Sequence, residues 1–179
     1  MNARIKTILL SALGAITVFT AVTISSCKED KCKAIVCAFG GVCTDGICLC
    51  PSGYEGPQCE TITRTRYLGP WIVTEDGTLT DAAQYTVSVE KGENITELRI
   101  KNFHNLFVKE VSAFVKGDTL YIPQQELENQ NTVIGSGYIT EDKFYGTHGR
   151  LVIKYKVTDS IGRVDDFGID AGDPSLWNK

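Results

Sequence analysis

The side chains with the most chemistry to offer are seven cysteines. Six fall between Cys32 and Cys59 with the spacing C-x4-C-x5-C-x4-C-x-C-x8-C, and the seventh, Cys27, stands just ahead of them. Thiolates can hold zinc, attack electrophiles, pair as disulfides or carry an acyl group. Zinc fits poorly, because the stretch contains no histidine and Cys48-x-Cys50 is tighter than the usual spacing between structural ligands. A disulfide framework fits well. The segment offers only Ile35, Val36, Phe39, Val42, Ile47, Leu49 and Tyr54 for a core, too little to fold without staples. Spacing alone leaves all fifteen pairings open.

Other chemistry is sparse. The histidines are His104 and His148, and neither stands in a metal-ligand spacing such as H-E-x-x-H. Gly146-Thr147-His148-Gly149 reads as a loop, and His148 would need a carboxylate within hydrogen-bond reach to serve as a base. No Gly-x-Ser-x-Gly elbow occurs. Asp165, Asp166, Asp170 and Asp173 read as a solvated acidic face, with weak cation chelation as the alternative. The expectation is a protein that is not an enzyme, with no cofactor and no metal. A net charge of −4 argues against nucleic-acid binding, and 42% hydrophobic with 22% charged residues argues for a folded chain.

The elements that carry these residues begin with a targeting segment, residues 1–26. Arg4 and Lys6 precede an uncharged, mostly apolar run from Thr7 to Ile24. Ile24-Ser25-Ser26-Cys27 resembles the lipobox of bacterial lipoproteins, which implies an acylated Cys27 at the mature N-terminus, a short tether over 27–31 and a membrane partner through lipid. The odd cysteine count agrees with that. A retained signal-anchor helix is the alternative. Lys28-Glu29-Asp30 resembles the surface-export signal of Bacteroidetes-type lipoproteins, which implies an outer-membrane protein at the cell surface, or otherwise one facing the periplasm. Asp118-Thr119-Leu120 and Asp159-Ser160-Ile161 resemble the O-glycosylation motif of that group. Asn94-Ile-Thr96 has the N-glycosylation pattern, moot in a bacterial lipoprotein.

Residues 32–59 resemble an EGF-like module: Gly40-Gly41 precedes Cys43, and Cys48-x-Cys50 is followed by Gly53-Tyr54, Gly56 and Cys59. The short Cys43–Cys48 loop is similar to the compact variant of tenascin-like repeats. The resemblance implies the pairs Cys32–Cys43, Cys37–Cys48 and Cys50–Cys59. The calcium-binding variant is not expected, since Lys31 precedes Cys32 and the oxygen ligands of a hard cation cannot be assembled.

A polar linker, residues 60–66, leads to a cysteine-free domain at 67–179. There the pattern is strand alternation: Trp71 to Thr74, Tyr85 to Val89, Leu98 with Ile100, Val111 to Val115, Leu120 to Ile122, Val133 to Thr140, Lys143 to Tyr145, Leu151 to Val157, and Val164 to Ile169 closing the sheet. Pro123 should end its strand or mark an edge, and Gly135 and Gly137 should mark a bend or close approach. The fold class is all-β, an EGF-like module plus an antiparallel meander closing into a barrel. Leu68 to Trp71, Tyr85 to Val89, Lys101 to Phe103, Gly117 to Pro123, Gly135 to Ile139 and Leu151 to Asp159 are similar to the lipocalin-like β domains of the same lipoproteins. The expected function is a non-enzymatic surface module binding a protein or glycan, with Tyr54 as a contact. The alternative is a carrier of a small hydrophobic ligand, with Phe103, Phe107, Phe114 and Tyr138 lining its cavity.

Overall fold

The computed structural model describes residues 30–141, 144 and 146–179. Cys27 and the targeting segment lie outside the described residues, as does most of the Lys143–Tyr145 stretch; Phe144 sits in a turn.

The EGF-like module is two small hairpins. Strands β1 (Val42–Thr44) and β2 (Ile47–Leu49) meet across Asp45-Gly46. Both turn residues have positive φ, the conformation that matches a two-residue hairpin to strand twist. Strands β3 (Tyr54–Glu55) and β4 (Thr61–Ile62) form the second. The disulfides are Cys32–Cys43, Cys37–Cys48 and Cys50–Cys59, as the resemblance implied. Each closes a short loop and contributes about 2–4 kcal/mol, chiefly by restricting the unfolded chain.

Residues 60–66 are folded rather than a spacer. They supply β4 and then a 3-10 turn, Thr63–Tyr67, whose Thr63 and Tyr67 are buried.

The second domain runs β5 (Gly69–Glu75), β6 (Ala83–Lys91), β7 (Glu97–Lys101), β8 (Val111–Lys116), β9 (Thr119–Glu126), β10 (Thr132–Thr140), β11 (Arg150–Thr158), β12 (Val164–Phe167) and β13 (Ser175–Asn178). Each strand from β5 to β11 pairs with the next, and β13 bridges β11 back to β5. The result is a closed eight-stranded antiparallel barrel with no free edge in the ring. β12 pairs with the second half of β11 and β13 with the first half, so the two are one strand interrupted by a loop at 168–174. Closure therefore falls to Ser175–Asn178, which the alternation did not mark, and not to Val164–Ile169.

Pro123 does not end its strand. Between Ile122 and Gln125 the β9–β10 register shifts, leaving Pro123 in a bulge where no ladder donor is required. On the other side the Gln125 side chain replaces the ladder: Ser112 N–H donates to Gln125 Oε1 at 2.8 Å and Gln125 Nε2 donates to the Ser112 carbonyl at 2.8 Å. Gly135 and Gly137 are close-approach positions, since a Cβ would lie 2.6 Å from the Lys154 carbonyl at the first and 2.8 Å from Ile153 Cγ1 at the second.

Inward side chains fill the ring. Trp71, Leu98, Ile100, Phe103, Leu120, Leu151, Ile153, Tyr155, Phe167 and Trp177 are all fully buried in one core. Phe103 packs edge-on against Tyr155 at 4.7 Å, and Tyr155 stacks on Phe167 at 4.3 Å.

Candidate functional site

The two ends of the barrel differ. The β6–β7 and β8–β9 turns face the EGF-like module. Thr63 N–H donates to the Gly53 carbonyl at 3.0 Å, and Arg66 pairs with Glu55 at 3.1 Å and Asp118 at 2.6 Å. The β5–β6, β7–β8, β9–β10 and β11–β12 connections surround the opposite end, which holds a pocket of roughly 560 Å³ and a side lobe of roughly 180 Å³. His104 lines both.

The floor is a buried polar network that strand alternation assembles. In β5 the inward positions are Trp71, Val73 and Glu75, so a carboxylate occupies a core position at the end of the strand. Tyr85 of β6, Tyr155 of β11 and Ser175 of β13 point to the same place. Glu75 Oε1 accepts from the Tyr85 hydroxyl at 2.6 Å, the Tyr155 hydroxyl at 2.9 Å and His104 Nδ1 at 3.1 Å. Its Oε2 accepts from the Ser175 hydroxyl at 2.5 Å, whose oxygen accepts from Trp177 Nε1 at 2.8 Å. Burial alone would raise the Glu75 pKa, but the donors His104, Ser175, Tyr85 and Tyr155 together outweigh it and hold the carboxyl below its ordinary value. Burial, followed by the charge of Glu75, pushes both tyrosine hydroxyls well above theirs. Four donors on one carboxylate compensate the cost of burying it.

His104 is therefore anchored through Nδ1, which also lies 3.0 Å from the Tyr155 hydroxyl, while Nε2 stands 3.9 Å from Asp165 Oδ2. Asp165 is fixed by the β5–β6 loop, accepting from Leu79 N–H at 2.8 Å and the Thr80 hydroxyl at 2.7 Å. The backbone around the mouth is held in the left-handed region at Asn102, His104, Asn105, Asn129 and Gln130. Asparagine tolerates this conformation best among non-glycine residues, whereas His104 and Gln130 hold it at a cost of about 1–2 kcal/mol each. Leu79, Leu106, Phe107 and Val157 form the apolar wall, and Glu128, Asn129, Asn131, Asp159 and Arg163 complete the lining. The lips are exposed and apolar: Leu79 is 62% exposed and Leu106 70%.

The residues expected from sequence scatter. Phe103 is core, Phe107 lines the mouth, and Phe114 and Tyr138 lie on the outer wall, where Phe114 stacks on Tyr121 at 5.3 Å. Alternation explains this: Phe114 lies between inward Ala113 and Val115, and Tyr138 follows inward Gly137. Tyr54 is half-buried and stacks on Phe39 at 4.5 Å within the module. His148 is exposed, and among the described residues no carboxylate pairs with it. Asp165 and Asp166 are buried rather than solvated; Asp166 caps the turn after β12 by accepting from Ile169 N–H at 2.8 Å and Asp170 N–H at 3.0 Å. Asp170 pairs with Lys156 at 3.1 Å, and Asp173 is exposed. The network around His104 is what sequence reasoning missed, although an acidic residue in phase with Trp71 and Val73 was its signal.

Comparison with known proteins places the module. Residues 35–61 match the model of a Teneurin-like EGF domain. A solved structure of a redesigned β-barrel is similar at 12% identity and a TM-score of 0.40, over 65% of this chain and 94% of that one.

Proposed function

We propose that this chain is a lipid-anchored, non-enzymatic binding protein of the bacterial cell surface, and that the barrel mouth is its recognition element. Cleavage before Cys27 and lipidation of that residue attach the chain to the outer membrane. The EGF-like module is a stapled spacer, and the lipocalin-like barrel carries the ligand at its mouth rather than in its interior. The observation that carries this reading is the pocket of roughly 560 Å³ whose exposed apolar lips surround a floor made by His104 and Asp165. Exposed apolar groups gathered around a concavity mark a binding site more than a solvated surface.

The lining describes the ligand. Leu79, Leu106, Phe107 and Val157 would cover an apolar body, and the gap between His104 Nε2 and Asp165 Oδ2 would take a hydrogen-bonding head. Carriage, rather than chemistry, suits the polar groups present. Glu75 is saturated by its donors, and Thr80, the hydroxyl of the larger pocket, donates to Asp165.

Native mass spectrometry of the disulfide-bonded chain from Lys28, after exposure to organic-extracted cell material, tests the reading. Retention of a small molecule by the parent, and its loss in Leu106→Asp, is the expected result. Equal retention in both, or none in either, overturns the mouth as the binding site. The anchor is checked separately: the mature protein isolated from membranes should begin at an acylated Cys27.

A further inference from the structure

We propose that one face of the β1–β2 hairpin contacts lipid and seats the EGF-like module on the membrane. The proposal rests on the anchoring of Cys27 proposed above. Val42 and Leu49 are cross-strand partners, 62% and 61% exposed, and Ile47, opposite Thr44, is 69% exposed. Because side chains alternate across a strand, Cys43 and Cys48 point to the other side, where their disulfides fix the hairpin. The barrel docks elsewhere on the module, where Gly53 meets Ile95 of the β6–β7 turn. The face is thus apolar, rigid and left open by the described chain.

The path of the chain selects the occupant. Lys31 lies over the hairpin turn, since a Cβ on Gly46 would stand 3.3 Å from Lys31 Cβ. Asp30, the first described residue, follows Cys27 by three positions, a reach of at most ~11 Å when extended. A lipid on Cys27 therefore holds the hairpin within the depth at which amphipathic surfaces meet the headgroup and acyl boundary. Lys31 is exposed beside the turn, and its long stem lets the ammonium group sit among phosphates while the aliphatic side chains go deeper. Val42, Ile47 and Leu49 offer a sugar neither a ring face nor a hydrogen bond, whereas branched aliphatic groups suit acyl chains.

The test uses the disulfide-bonded chain from Cys27 to Lys179, coupled through the Cys27 thiol to a maleimide lipid in phosphatidylcholine–phosphatidylglycerol vesicles. Leu49→Trp reports on the hairpin, and Val108→Trp, at the mouth, is the control. Native Trp71 and Trp177 are fully buried and give a constant background. Brominated acyl chains should quench the added emission of Leu49→Trp by about half or more, and leave that of Val108→Trp unchanged, because quenching requires insertion to the acyl boundary. No quenching at residue 49, or equal quenching at both positions, overturns the proposal. Sedimentation without lipid covers the competing occupant: dimerisation that Leu49→Glu abolishes would assign the face to a second copy and overturn it as well. The imposed tether separates this result from native acylation, which the mass of the membrane-derived protein reads on its own.

Discussion

At the scale of single residues, Glu75 is the position on which the mouth depends. It is 6% exposed, and it accepts from His104, Ser175, Tyr85 and Tyr155 at once. Its carboxyl titrates below its ordinary value in the folded chain, so the unfolded state binds more protons in the acid range. The resulting stabilisation is fully present above the ordinary value of 4.5 and is lost as the pH falls through the lower folded value. Glu75→Gln should lose that part of the acid dependence. It should also cost about 3–5 kcal/mol at neutral pH, because an amide offers one acceptor where the carboxylate offers two and places a donor against Tyr85 or Ser175. Urea unfolding followed at pH 7 and at pH 4 checks both, and an unchanged slope of stability with pH would disprove the linkage. Tyr155→Phe removes one of the four donors and its contact with His104, and should cost about 1–2 kcal/mol by the same measurement.

At the scale of elements, β9 shows how a strand survives a residue that should break it. Pro123 cannot donate to a ladder, yet the strand continues to Glu126, because the bulge removes the demand on one side and the Gln125 amide meets it on the other. Gln125→Leu keeps the volume and deletes both bonds. The Ser112 amide should then lose protection in hydrogen exchange by about fivefold, with strands β5 and β6 across the barrel unaffected, because one lost bond is worth on the order of 1 kcal/mol and acts locally. The same strand shows what the sequence could reveal. Most barrel strands are legible from alternation, because a filled ring demands an apolar residue at every second position. Gly135 and Gly137 are legible because strands that close that tightly leave no space for a Cβ. The bulge was hidden, since its compensation comes from one side chain. β13 was hidden because four residues are too short to alternate, and Trp177 is placed by what surrounds it. Of the aromatic candidates, Phe107 lines the mouth, but residue type also marked Phe114 and Tyr138, whose phase along the strands puts them outside. His104 was hidden most deeply, because it reaches the network from a left-handed turn and is out of register with any strand.

At the scale of the whole molecule, the joint between module and barrel decides which way the mouth faces. Arg64 Nη1 donates to the carbonyls of Gly92 at 3.2 Å and Glu97 at 3.0 Å, and to that of Asn94, so one guanidinium closes the β6–β7 turn onto the 3-10 segment after β4. Gly53 presses on the same turn, where a Cβ would lie 2.7 Å from Ile95 Cγ2. Arg66, by contrast, pairs with Asp118 at a position open to water, an arrangement worth little on its own. The barrel strands are seven to nine residues long beside the mouth on β5, β6 and β11, so each runs roughly 23–30 Å along its tilted axis at the usual rise per residue. A rigid joint keeps the His104 floor at the end of the barrel away from the EGF-like module, so the lipid anchor proposed for Cys27 would leave the mouth facing away from the membrane; a loose joint would let it tilt. Nitrogen-15 relaxation separates the two cases. The parent should tumble with one correlation time across module and barrel. Arg64→Ala combined with Ile95→Ala removes the three carbonyl bonds and the packing on Gly53, and should give the module a shorter time of its own while its disulfides keep it folded. Two correlation times already present in the parent would show that the mouth has no fixed direction relative to the module.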